Sequence, residues 1–132
     1  MSLESIHKAI YAALQSKHDA YVGIRVASMA TPCYVYEITG ATLDFGMGGV
    51  AAKNHWTISV EVQAIGDNIE DVTVLVDDVT ATFTGPYNDV TNLCSMVLSE
   101  FSVAFSVEPL DDGREDAARI GTISLTLLVQ ED

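Results

Sequence analysis

Hydrophobic residues recur along the chain with two periods, and each period marks a kind of element. Ile6, Ile10 and Leu14 fall four apart, with Ala9 and Ala13 in the same stripe and Glu4, Lys8 and Gln15 off it. That spacing predicts an amphipathic helix over about residues 3–17, with Ser2 placed to cap it. Tyr21 to Val26 reads as a short extended piece, and Pro32 belongs at an edge or at the start of a strand. From Cys33 to Thr39 the pattern alternates, Tyr34, Tyr36 and Ile38 on one face and Val35 and Glu37 on the other.

The clearest strand sets Trp56, Ile58, Val60, Val62 and Ala64 against His55, Thr57, Ser59, Glu61 and Gln63. Asp67 with Glu70 three residues on reads as a capping box, and Ile69, Val72, Val76, Val79 and Phe83 then step by three or four. A second helix is predicted over 68–83, stopping before Gly85 and Pro86. Two more strands are predicted. In the first, over 96–108, Phe101, Val103, Phe105 and Val107 oppose Ser102, Ala104 and Ser106. In the second, over 118–130, Ile123, Leu125, Leu127 and Val129 oppose Thr122, Ser124 and Thr126.

Strands with one wet face and helices with one apolar stripe satisfy each other best in layers. The predicted fold is therefore α+β, a two-layer sandwich whose mainly antiparallel sheet carries both helices on one face. Residues 1–132 form a single domain without repeat or linker. Between Gly40 and Asn54 a long hairpin loop combines Gly46, Gly48 and Gly49 with Leu43, Phe45, Met47 and Val50. Apolar beads in a glycine-rich loop make a candidate contact element; the alternative is a hairpin arm resting on the domain's own surface.

Composition narrows the function. At 132 residues the chain buries roughly two thirds of its unfolded surface in one core. A hydrophobic content of 48% with 19% charged residues excludes intrinsic disorder. Six Lys and Arg against 19 Asp and Glu leave a net charge of −13, which argues against binding nucleic-acid phosphates or an anionic membrane. With no long apolar run, and with Glu4, His7 and Lys8 where a signal peptide needs an apolar core, a soluble protein made in a cytoplasm is expected.

Candidate chemistry is sparse. Cys33 and Cys94 lack metal-ligand spacing and read as structural thiols, and His7, His18 and His55 form no ligand pair. The acid pairs Asp77 and Asp78, Asp111 and Asp112, and Glu115 and Asp116 fall in turns or on helix surfaces as solvated charge. No serine sits in a nucleophile elbow, and the run Gly46-Met47-Gly48-Gly49 lacks the Lys-Ser/Thr ending of a phosphate loop. Tyr11, Tyr21, Tyr34, Tyr36, Tyr87 and Trp56 have no cations beside them to suit base stacking, and read as core or interface. The expectation is a protein without catalytic residues, cofactor or metal.

The opening helix Met1-Ser-Leu-Glu-Ser-Ile-His-Lys-Ala-Ile-Tyr-Ala-Ala-Leu14, the strand Thr31-Pro-Cys-Tyr-Val-Tyr36 and the strand Trp56-Thr-Ile-Ser-Val-Glu-Val-Gln63 come in a characteristic order. Asp67-Asn-Ile-Glu-Asp-Val72 then leads a helix, and Ile123-Ser-Leu-Thr-Leu-Leu-Val129 closes the chain. Together they resemble the tail terminator, or head-tail joining, proteins of long-tailed bacteriophages. That resemblance implies a structural virion protein, made in the host bacterial cytoplasm and located at the head-tail junction. Its subunits form a ring, generally a hexamer, that caps the tail tube, meets the head connector or stopper protein, and lets DNA pass without specific binding.

A ring subunit needs two different complementary patches. The expected subunit or tail-tube interface is Leu43, Phe45, Met47 and Val50, and the expected lumen or rim acids are Asp111, Asp112, Glu115 and Asp116. Members of that family often carry more Arg after the long loop, whereas only Lys53 lies between Arg25 and Arg114 here, which leaves the lumen-facing surface open. Two other readings compete. One is a head-completion or tail-tube protein; the other is a small-ligand-binding α+β domain with a pocket near Tyr34, Tyr36 and Trp56.

Overall fold

A computed structural model describes residues 3–23, 32–44, 55–84, 87–89, 94–107 and 119–131. The elements are α1 (Leu3–Gln15), β1 (Ala20–Val22), β2 (Cys33–Asp44), β3 (His55–Gly66), α2 (Ile69–Thr84), β4 (Tyr87–Asp89), β5 (Cys94–Val107) and β6 (Arg119–Glu131). The strands form one mixed sheet in the order β1-β2-β3-β6-β5-β4. Only the short β1 runs parallel to its neighbour; the other four pairings are antiparallel. The fold is α+β, as the two hydrophobic periods predict.

Helix α1 buries the anticipated stripe of Ile6, Ala9, Ile10, Ala13 and Leu14. It ends at Gln15, where the Ser16 hydroxyl donates to the Ala13 carbonyl at 2.7 Å and the Ala20 amide donates to Gln15 Oε1 at 2.8 Å. The side chain that closes the helix thus also fixes the entry into β1. The cap of α2 corrects the sequence reading. Because the helix begins at Ile69, the capping position falls on Asn68, whose Oδ1 accepts the Asp71 amide at 2.9 Å.

The central pair β3 and β6 keeps a continuous register from His55 opposite Gln130 to Gly66 opposite Arg119. One face of it, here the inner face, presents Ile58, Val60, Val62, Ile123, Leu125 and Leu127. These join the apolar stripes of α1 and α2 in a single buried cluster with Tyr34, Tyr36 and Phe83. Two glycines let α2 come close to the sheet. A Cβ on Gly121 would stand 2.9 Å from a Val72 methyl, and one on Gly66 would stand 2.8 Å from Asp71 Cβ. The Tyr34 hydroxyl reaches across the core and donates to the Leu75 carbonyl at 2.8 Å, tying β2 to α2.

Three expectations are revised. The loop does not begin at Gly40: residues Gly40 to Asp44 continue β2 and pair with His55 to Ser59, which places Leu43 opposite Trp56 within the sheet. The outer face is not wet throughout, because Cys33, Val35 and Ile65 are fully buried there with Tyr21 and Ile120 packed on them. The apolar side of β5 is only partly covered: Phe101 and Val103 pack against the core, while Phe105 is 52% and Val107 47% exposed.

Candidate functional site

On the outer face the sheet is bent at a single row. The register slips between Ile38 and Gly40 on β2 and between Leu98 and Glu100 on β5. Both slips end on one line of partners, Gly40, Ser59, Thr126 and Glu100. A bulge adds local twist to its strand, so two bulges on one row curve the sheet on either side of its central pair. The Thr39 hydroxyl donates to the Ser59 carbonyl at 3.2 Å, supplying a side-chain bond where the ladder slips.

That curvature leaves an open groove of about 570 Å³ whose polar lining includes Thr39, Ser59, Glu61, Glu100, Ser102 and Ser124. Glu37 stands directly opposite Glu61 beside it. Among the described residues of β2, β3, β5 and β6, the outer face carries hydroxyls, amides and the carboxylates of Glu37, Glu61 and Glu100, no Lys or Arg, and an exposed apolar pair, Val97 opposite Leu128. The middle of the face is therefore acidic and hydrophilic, while Val97 and Leu128 toward one end and the Cys33, Val35 and Ile65 cluster toward the other are apolar.

A second feature lies where α1 crosses β2. A hollow of about 370 Å³ is lined by Glu4, His7, Lys8, Tyr11, Val22 and Tyr36. His7 meets the Tyr36 ring edge-on at 5.7 Å between centroids, and Lys8 pairs with Glu4 at 3.1 Å one helical turn away. Tyr36 is 1% exposed, yet its buried hydroxyl has no hydrogen-bond partner among the described residues. Burial, and then the neighbouring Tyr11, push its pKa up to about 12. Tyr34 is raised further, by burial first and by Asp78 second. Asp78 itself lies 2.7 Å from His18 Nε2, and the His18 ring rests edge-on against Tyr34 at 5.6 Å, so the end of α1 is anchored on α2.

Of the residues expected at an interface, Leu43 lies in β2, half-buried and in line with Trp56 and Val129 on the inner face. Phe45, Met47 and Val50 lie outside the described residues, as do Asp111, Asp112, Glu115 and Asp116. The two tyrosines and Trp56, expected around a ligand pocket, do not share one: Tyr34 and Tyr36 are core side chains and Trp56 packs against the core edge. The hollow does border Tyr36, one of the three aromatics expected near a pocket, but its other walls, on α1 and at Val22, are not among the residues expected there. The available signal was His7 and Tyr11, one turn apart on α1 and off its apolar stripe, where an aromatic pair borders a buried tyrosine. Compared with protein-family models and with curated proteins, the chain matches none.

Proposed function

We propose that the protein is a structural ring subunit of a phage tail, a tail terminator that caps the tube and joins it to the head connector. The observation that carries this reading is the middle of the outer sheet face, where Glu37, Glu61 and Glu100 stand among hydroxyls with no Lys or Arg among its described residues. A passage for DNA works when its wall repels phosphates, since Lys and Arg there would hold the strand by counterion release. The net charge of −13 supports the same reading. The resemblance in element order supplies the family.

In this reading α1 and α2 form one layer over the inner face, completing a two-layer sandwich, and residues 45–54 close a long hairpin between β2 and β3. Heterologous ring contacts need two unlike patches. The apolar strip of Phe105 and Val107 on β5 is suited to be one of them, with Leu43, Phe45, Met47 and Val50 at the hairpin as the other. Asp111, Asp112, Glu115 and Asp116 belong to the rim or lumen. The ring is a hexamer whose partners are itself, the tail tube protein and the connector, and it performs no catalysis.

Light scattering coupled to size exclusion, followed by negative-stain imaging of the protein mixed with purified tail tubes, tests the reading. Rings, or caps confined to tube ends and lost in Phe45→Asp, are the expected result. A monomer that leaves tube ends bare at every salt concentration would overturn it.

A further inference from the structure

The hollow between α1 and β2 holds a polar group that the fold leaves unanswered. Burying a hydroxyl without a partner forfeits its bonds to water, and natural cores rarely tolerate it without a use. Tyr36 is 1% exposed, its hydroxyl has no partner among the described residues, and it lines a hollow of about 370 Å³ whose other walls are His7, Tyr11, Val22 and the Glu4 and Lys8 pair.

We propose that this hollow is a binding site for a small uncharged aromatic carbonyl compound, whose oxygen accepts a hydrogen bond from the Tyr36 hydroxyl. The choice of class follows from the walls. The phenol remains protonated throughout the neutral range, so it offers a donor and calls for an acceptor. The His7 and Tyr11 rings offer faces and edges to a planar body. Glu4 and Lys8 neutralise each other at the rim, and the chain as a whole carries −13, so an anion gains nothing by entering. Tyr11, 42% exposed, forms the solvent-facing wall of the hollow. The site stands independently of the ring reading, since it lies on the α1 side of the fold and uses none of the outer face.

Titration of the ¹⁵N-labelled full chain with benzamide, followed by amide chemical shifts, tests the proposal. The expected result is saturable shifts confined to Glu4, His7, Lys8, Tyr11, Val22 and Tyr36. Tyr36→Phe should then bind about five- to tenfold more weakly, the loss of one hydrogen bond. Val22→Trp, at a position 55% exposed on the rim, should plug the hollow and abolish binding without disturbing the core. Shifts that are absent or scattered overturn the proposal, as does undiminished binding by either variant.

Discussion

Glu37 stands directly opposite Glu61 across the antiparallel pairing of β2 and β3. Like charges in that position oppose the pairing they sit on, so the sheet retains these two carboxylates at a cost to its own stability. Replacing one charge by its uncharged isostere relieves the repulsion. Glu37→Gln should raise unfolding stability by about 0.5 kcal/mol, measured by chemical denaturation in low salt, and the gain should shrink as salt is added. A variant less stable than the parent would show that the pair is held by a favourable contact instead.

The two buried tyrosines of β2 should respond in opposite ways to loss of the hydroxyl. Tyr34 donates to the Leu75 carbonyl at 2.8 Å, whereas the Tyr36 hydroxyl has no partner among the described residues. Tyr34→Phe leaves a buried carbonyl unsatisfied and should cost about 1–2 kcal/mol. Tyr36→Phe removes an unanswered polar group and should be neutral or stabilising. Equal losses for both would mean that the Tyr36 hydroxyl is satisfied in solution.

Both phenols are raised above their ordinary value of 10.0 in the folded chain, Tyr36 to about 12 and Tyr34 beyond it. Below the unfolded value both states hold the proton, and the contribution of these groups is fully present. As pH climbs past about 10 the unfolded chain sheds protons that the folded chain keeps, so stability falls until the folded phenols also ionise. Denaturation midpoints at about pH 9 and about pH 11 should show that decline, smaller in Tyr36→Phe than in the parent. A flat profile would contradict the burial of these hydroxyls.

Gly121 gives α2 its seat on the sheet, since a Cβ there would fall 2.9 Å from a Val72 methyl and 3.3 Å from one of Val76. Gly121→Val should therefore cost about 1–3 kcal/mol by overpacking, read as a lowered Tm. Combining it with Val72→Ala should restore part of the loss, because the smaller side chain vacates the space. No recovery in the double variant would place the strain elsewhere.

The strands and helices with an uninterrupted period were legible in the sequence because each has one face to bury. For β3 and β6 the alternation alone assigns the inner residues, from Ile58 to Val62 and from Ile123 to Val129. Where a second cause acts, the pattern misleads. Gly40 looked like the start of a loop, yet β2 continues past a bulge there, and a bulge leaves no mark in alternation beyond an extra residue. Cys33, Val35 and Ile65 sit on the nominally wet face, and their burial depends on Tyr21 and Ile120, far apart in sequence. A pocket beside Tyr36 was legible as one alternative, but not its walls: only the three-dimensional placement of α1 brings His7 and Tyr11 there, in place of Tyr34 and Trp56, and shows the Tyr36 hydroxyl unanswered.

The most direct test of the ring-subunit account is the number of chains bound per tail tube, counted with labelled protein by sedimentation on tubes of two lengths. The account predicts a small fixed number that does not change with tube length, because a terminator binds only the end. Binding that grows in proportion to length would mark a component of the tube wall, and no binding to either would contradict a role in the tail.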